Sequence, residues 1–339
     1  MINAFLFFIG LILLVKGSIY TVKYSSSLAK KFGVSEFVIG LTLVAIGTSL
    51  PELVSSIVAS FKDASSIILG NIIGANIANI TLVIGLAAIT SKLVVKTEFV
   101  KRDAHMLLAC LFLFIFVILD NKISLIEGIF FLLFYFSYLV FIFHSKKKLN
   151  GFNEFIPYFF KLEYLLTIKS FFIRNLSNKK KKRKNQFYRG IIGDIVIIII
   201  SLFAVIYGAN LMIERAIYFA ELYSFPKFLI GILISLGTTA PEMTVSISAA
   251  RKGFGDIAIG NAIGSVIVNT LFILGFASLI SPIKMVEGNF LFVILALVFF
   301  SLAFFTLIKV KKEISKFEGI ILIILYLIFL SWTLIRQAI

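Results

Sequence analysis

Two glutamates, Glu52 and Glu242, lie deep within apolar stretches of this chain, whereas almost all other acidic residues lie near predicted helix ends. A carboxylate at membrane depth costs at least a few kcal/mol, so it is retained only where a partner compensates its charge. No Lys or Arg lies at matching depth in the sequence. We therefore predict that mobile cations are the partners. A second interpretation, in which both carboxylic acids stay protonated, remains open.

Neutral oxygens accompany both glutamates. Pro51 and Pro241 each interrupt a predicted spanning helix, which removes a backbone donor and frees carbonyls about one turn earlier, at or near 45–48 and 235–238. Together with two glutamates, these carbonyls can supply the roughly six to eight oxygens that Ca²⁺ prefers. The softer ligands of the chain lie outside these segments, which disfavours softer metals; they are His105, His144 and Cys110. Since Cys110 is the single cysteine, a thiolate metal site is excluded.

The surroundings of both glutamates belong to one repeated segment. Residues 43–85 recur without a gap at 233–275. The identities are mostly polar or helix-breaking residues: Gly47/Gly237, Thr48/Thr238, Pro51/Pro241, Glu52/Glu242, Ser56/Ser246, Gly70/Gly260, Asn71/Asn261, Gly74/Gly264 and Asn79/Asn269. Packing alone would have preserved the apolar positions, so the repeat indicates a shared function of the polar ones.

The composition predicts an all-α polytopic membrane protein. The chain has 339 residues, of which 60% are hydrophobic and 15% charged, and apolar runs of spanning length recur throughout. We predict ten transmembrane helices, the first retained and not a signal peptide. Their approximate ranges are 2–21, 36–60, 65–90, 104–120, 123–144, 190–218, 226–250, 255–281, 288–308 and 317–336. Gly/Asn clusters interrupt the third and eighth, which is tolerated where the backbone lines a cavity.

Lysine and arginine predict the orientation. They concentrate after helices 1, 3, 5, 7 and 9, so we expect extracellular termini and a cytoplasmic linker over 146–189. The net charge of +16 is then a topology signal, and we expect no nucleic-acid partner. Five helices per half make 1–145 and 190–339 inverted repeats, as in secondary transporters. The polybasic run 179–184 is expected to face anionic lipid headgroups or to act as a solvated tether.

The paired motifs resemble a known family. GTSLPE with GNIIGANIAN, and GTTAPE with GNAIGSVIVN, are similar to the two alpha-repeats of the calcium/cation antiporter superfamily, most closely its sodium/calcium exchanger branch. These repeats would cover about 39–86 and 229–276. The resemblance implies a plasma-membrane antiporter that exchanges extracellular Na⁺ for cytoplasmic Ca²⁺ by alternating access. It also implies a transporter and not an enzyme, with no cofactor beyond the transported ions.

The resemblance also implies a set of cation ligands. Glu52 and Glu242 would be carboxylates shared by Ca²⁺ and Na⁺. The remaining ligands would be the carbonyls of Thr48, Thr238, Ala45 and Ser235, the hydroxyls of Ser49, Thr239 and Ser265, and the amides of Asn79 and Asn269. Ala75 stands where the family often has a serine, which puts one Na⁺ site in doubt. The neutral Asn269 argues against K⁺ co-transport.

Three alternatives remain at this point. A Ca²⁺/H⁺ antiporter would protonate the two glutamates on its return step. A cation channel would line its pore with the same carboxylates. An intramembrane hydrolase is also conceivable, although no HExxH or Ser/Lys constellation supports it. The oligomeric state cannot be predicted from the sequence.

Overall fold

The computed structural model describes residues 2–31, 45–95, 97–144, 151–167, 188–285 and 290–338. The helices of the first half are α1 (Ile2–Lys31), α2 (Ala45–Thr48), α3 (Leu50–Phe61), α4 (Ser65–Ala78), α5 (Ile84–Thr90), α6 (Thr97–Phe99), α7 (His105–Val117), α8 (Leu125–His144) and α9 (Phe152–Phe160). Those of the second half are α10 (Tyr188–Leu222), α11 (Lys227–Thr238), α12 (Ala240–Arg251), α13 (Gly255–Ile267), α14 (Leu274–Ile280), α15 (Phe290–Lys311) and α16 (Lys316–Ala338).

Short irregular elements join these helices. Segments of π-helix occupy Asn79–Val83, Val100–Ala104 and Val268–Ile273, and a 3₁₀ turn occupies Ile118–Asp120. The two-residue strands are β1 (Leu93–Val94), β2 (Lys122–Ile123), β3 (Ile283–Lys284) and β4 (Glu313–Ile314). β1 pairs antiparallel with β4, and β2 pairs antiparallel with β3. Each strand pair therefore joins a loop of the first half to a loop of the second half, a contact that the sequence did not predict.

The polytopic all-α architecture is confirmed. In the described residues, 9 helical stretches are long and apolar enough to cross a membrane, and they correspond to nine of the ten predicted helices. The remaining one, 36–60, is described only from Ala45 onward, as α2 and α3. Residues 36–44 lie outside the described part of the chain, so the count of ten and the division into repeats stay predictions.

The repeat helices form the centre of the molecule. Buried residues make up 83% of the most apolar window of Ser65–Thr90 and 72% of that of Gly255–Ile280, against 22% for the spans of α1 and α10. The predicted interruptions at the Gly/Asn clusters are wrong, because Ser65–Ala78 and Gly255–Ile267 run through the clusters as regular α-helix. The backbone departs from α-helix only in the π segments that follow, and these are shielded from lipid, as expected at membrane depth. α1 and α10 lie at the periphery.

Glycines bring α4 into close contact with α11. A Cβ atom on Gly70 would lie 2.1 Å from the carbonyl oxygen of Phe228, and one on Gly231 would lie 2.5 Å from that of Ile67. No side chain fits at either position without moving the backbone, so the two helices cross at van der Waals distance only because both residues are glycine. This crossing packs α4 against α11, the helix that leads to Glu242.

The peripheral helices α1 and α10 form a pair of their own. They cross at Gly10 and Gly208, where a Cβ on Gly10 would lie 2.8 Å from the Gly208 carbonyl oxygen. The Thr21 hydroxyl donates to Ser201 Oγ at 3.0 Å, and Lys31 Nζ lies 2.6 Å from a carboxylate oxygen of Asp194. Because of this close crossing and these polar contacts, α1 and α10 pack together as one unit.

Candidate cation-binding site

The site is built at two helix breaks. α2 ends and α3 begins on either side of Ser49, and α11 ends and α12 begins on either side of Thr239. Pro51 and Pro241 lie in the first turn of the new helices, where a missing backbone donor costs little. The predicted proline breaks are therefore present, each just before its proline.

Both glutamates lie in the first turn of the helix that follows a break. This position places each carboxylate near the positive end of a helix dipole. The preceding half-helices end at Thr48 and Thr238, so their carbonyl ends point toward the same breaks. Half-helix ends of this kind can bind cations and anionic groups inside a membrane protein.

The two carboxylates differ in their hydrogen bonds. Glu52 and Glu242 are both fully buried. Glu242 Oε1 accepts hydrogen bonds from the hydroxyls of Ser49 at 3.1 Å and Ser265 at 3.3 Å. Within the described chain, no donor makes a hydrogen bond of normal geometry to Glu52 Oε1, Glu52 Oε2 or Glu242 Oε2, although the Thr238 hydroxyl lies close to the Glu52 carboxylate. Buried acceptors without donors require an explanation, and a cation provides one.

Two asparagines add further acceptors. Asn79 and Asn269 are fully buried, and each lies in a π-helical segment that continues α4 or α13. Such π segments occur frequently at functional sites. In the described part of the chain, both polar atoms of the Asn79 amide and the Oδ1 atom of Asn269 lack a hydrogen-bond partner.

The hydroxyls of Thr48 and Thr238 contact asparagines that the sequence analysis did not assign to the site. Thr238 Oγ1 donates to Asn71 Oδ1 at 3.2 Å, and Thr48 Oγ1 lies 3.5 Å from Asn261 Oδ1. These contacts cross between the halves of the chain and hold the two threonines in place. The signal for Asn71 and Asn261 was in the sequence, since both recur in the repeat.

Thr239 donates hydrogen bonds to the Ser235 carbonyl. The Thr239 hydroxyl donates to the Ser235 carbonyl oxygen at 2.8 Å, and the Thr239 backbone N–H donates to the same oxygen at 3.0 Å. The Thr238 hydroxyl also lies 3.3 Å from this oxygen, so a cation ligated by the carbonyl would compete with all three contacts. The remaining predicted ligand, Ala45, is the first residue of α2.

Positive side chains do not compensate the glutamates. In the residues that the structure describes, no Lys or Arg is buried to the same degree, and no group of three or more His, Cys, Asp or Glu side chains is present. A structural ion pair is therefore absent from the described site. The arrangement is two carboxylates surrounded by neutral oxygens, which suits hard cations such as Ca²⁺ and Na⁺.

Comparisons with known proteins agree with this chemistry. The family model described as sodium/calcium exchanger protein matches residues 2–144 and 194–335. The sodium/calcium exchanger MaX1 of Methanosarcina acetivorans is 40% identical over an alignment of 345 positions, gaps included, which covers 97% of each chain. An uncharacterised membrane protein of Methanocaldococcus jannaschii is 32% identical over 95% of each chain.

The fold also matches a solved exchanger. The structure of the sodium-calcium exchanger NCX_Mj, soaked with Na⁺ and Sr²⁺, superimposes with a TM-score of 0.62 at 31% sequence identity and covers 97% of each chain. Sequence and fold thus agree over nearly the whole length. The chain belongs to the sodium/calcium exchanger family.

Proposed function

We propose that Glu52 and Glu242 bind Ca²⁺ and Na⁺ in turn at one site near the membrane midplane. As a member of the sodium/calcium exchanger family, the chain exchanges Na⁺ for Ca²⁺ across a membrane. The observation that carries the proposed site is the set of three buried carboxylate oxygens that accept no hydrogen bond of normal geometry from the described residues. We infer further that Na⁺ entry drives Ca²⁺ extrusion.

The neutral ligands of this proposal surround the two carboxylates. The carbonyls of Thr48 and Thr238 lie at the ends of the half-helices that precede the glutamates. The Ser49 and Ser265 hydroxyls already contact Glu242 Oε1, so a Na⁺ ion bound there finds hydroxyl oxygens close by. Hydroxyl oxygens favour Na⁺ over a proton, because a proton bonds to a single carboxylate and needs no shell of neutral oxygens.

Charge explains why the two ions alternate. Two ionised carboxylates without cations carry about −2 in a site of low dielectric, and changing access in that state would be prohibitive. One Ca²⁺ ion neutralises the pair, and several Na⁺ ions that share the same oxygens do so as well. The loaded carrier changes access, and competition for the same oxygens prevents the two ions from travelling together.

We propose the plasma membrane as the location, with extracellular termini and a cytoplasmic 146–189 linker. The strand pairs are consistent with the predicted grouping of loops, because β1 and β4 lie in two loops predicted to share one side and β2 and β3 in two predicted to share the other. We also propose that 179–184, which lies outside the described residues, faces anionic lipid headgroups. Labelling of Lys62→Cys and Lys284→Cys from outside, and of 179–184 only from inside, tests this topology.

Transport in proteoliposomes tests the function. Uptake of ⁴⁵Ca²⁺ is measured under an imposed outward Na⁺ gradient, under an imposed pH gradient, and with neither. We expect saturable uptake that follows the Na⁺ gradient. Uptake that follows the pH gradient and ignores Na⁺ would favour Ca²⁺/H⁺ antiport, and flux that shows no counterflow would favour a channel.

A further inference from the structure

Asn76 is a buried polar residue without a role in the site described above. It lies on α4, three residues before Asn79, and is 2% exposed. The equivalent position of the second repeat holds Val266, so the residue does not belong to the repeated pattern. A buried carboxamide requires hydrogen-bond partners for both its oxygen and its nitrogen.

Both polar groups of Asn76 bond to the π-helical segment that contains Asn269. Asn76 Nδ2 donates to Thr270 Oγ1 at 3.0 Å. Asn76 Oδ1 accepts from Asn269 Nδ2 at 3.1 Å. These bonds join the first repeat to the second, since residues 76 and 269 belong to different halves of the chain. They also use the nitrogen of the Asn269 amide and leave its oxygen without a donor among the described residues.

We propose that Asn76 is a positioning residue that orients the Asn269 carboxamide so that its oxygen, and not its NH₂ group, faces the transported cation. This inference rests on the proposed role of Asn269 as a ligand. An amide rotated by half a turn would present a partly positive NH₂ group to a cation. Rotation of the Asn269 amide alone would place its oxygen against the Asn76 oxygen at hydrogen-bonding distance, so the two amides could turn only together.

The same contact makes the two amides of the site unequal. Asn79 is the repeat counterpart of Asn269, but the residue that corresponds to Asn76 is Val266, which offers no acceptor. Both polar atoms of the Asn79 amide lack a partner in the described chain. Asn269 is therefore pre-oriented, whereas Asn79 must be oriented by the cation itself. A pre-oriented ligand loses less entropy on binding, so Asn269 contributes more to affinity than Asn79.

The test measures the apparent KM for Ca²⁺ of Na⁺-driven uptake in proteoliposomes. Asn76→Leu keeps a similar shape and removes the amide. Residues that orient a metal ligand typically contribute about 10- to 100-fold to affinity, so we expect KM to rise at least about tenfold. The matched control is Thr81→Val, since the buried Thr81 hydroxyl donates only to the Ile77 carbonyl of its own helix, at 2.5 Å. Thr81→Val should leave KM within about twofold of wild type, because it removes a buried hydroxyl without touching the pair.

A double-mutant cycle separates positioning from a general structural role. If Asn76 acts through Asn269, adding Asn76→Leu to Asn269→Leu changes KM less than about twofold. Additive effects would overturn the inference. An unchanged KM for Asn269→Leu alone would also overturn it, together with the ligand assignment of Asn269, but would leave Na⁺/Ca²⁺ exchange intact. Should Asn76→Leu fail to fold, Thr270→Val in the same two backgrounds provides the measurement, with a smaller rise expected.

Discussion

Replacement of Glu52 by glutamine should abolish physiological exchange. Glutamine has nearly the same size and shape as glutamate, so the change removes one charge and replaces one oxygen with an NH₂ group. Glu52 is fully buried, and neither of its carboxylate oxygens accepts a hydrogen bond of normal geometry from the described residues. The nearby Thr238 hydroxyl offsets little of its negative charge, so the substitution mainly removes a charge that the bound cation would neutralise.

The size of the effect follows from the charges. Ca²⁺ and a carboxylate oxygen about 2.4 Å apart attract by about 14 kcal/mol at an effective dielectric constant of about 20. Most of that energy replaces the lost hydration of the ion, and breaking a buried charge pair leaves a net cost of about 3–5 kcal/mol. Such a cost corresponds to roughly 100- to 5,000-fold weaker Ca²⁺ binding.

The assay is Na⁺-driven ⁴⁵Ca²⁺ uptake into proteoliposomes, with the variant's elution volume on size exclusion as a check of folding. Glu214→Gln is the matched control, because Glu214 is partly exposed and pairs with Lys62 at 3.1 Å near a helix end. A surface pair contributes at most about 1 kcal/mol, so this control should transport at a rate close to wild type. Folded Glu52→Gln protein with near wild-type uptake would refute the assignment of Glu52.

Three further changes test other parts of the account. Ser265→Ala should raise the Na⁺ concentration for half-maximal uptake several-fold more than the KM for Ca²⁺, because the lost hydroxyl contacts Glu242. The control is Ser278→Ala, which should change neither quantity, because the buried Ser278 hydroxyl donates only within its own helix. Ala75→Ser, which adds a hydroxyl, should lower the Na⁺ requirement or leave it unchanged, and a higher requirement would contradict this reasoning. Gly70→Ala should lower the melting temperature in detergent, since overpacking costs about 1–3 kcal/mol or more. Gly193→Ala, where a new Cβ meets no atom within 4 Å, should not lower the melting temperature. Equal shifts of the melting temperature for the two variants would argue against the tight helix crossing.

The sequence predicted the helices far better than the contacts between them. Hydrophobic runs of spanning length are a local signal, so nine predicted spans correspond to helices of the described chain. The pairing of β1 with β4 and of β2 with β3 joins loops about 220 and 160 residues apart, and no local pattern specifies it. Gly70 recurs in the repeat, but the reason for glycine at Gly70 and Gly231 could not be predicted, because it arises only from the approach of the opposite backbone.

Only part of the site could be predicted from the sequence, again because contacts between the halves leave no local signal. Glu52 and Glu242 stood out because a carboxylate at membrane depth is costly and each occurs in a repeated segment. Asn71 and Asn261 recur as well, but their contacts with threonines of the other repeat depend on how the halves pack. Asn76 carried no repeat signal, since Val266 replaces it in the second copy, and its partner lies 193 residues away.

Competition between the two ions at equilibrium tests the central claim most directly. Binding of ⁴⁵Ca²⁺ to the purified protein is measured while Na⁺ replaces choline at constant ionic strength. A shared site predicts a single Ca²⁺ ion per chain, displaced by Na⁺ with a Hill coefficient above about 1, because several Na⁺ ions occupy the same oxygens. Ca²⁺ binding that is indifferent to Na⁺ would contradict a shared site at Glu52 and Glu242.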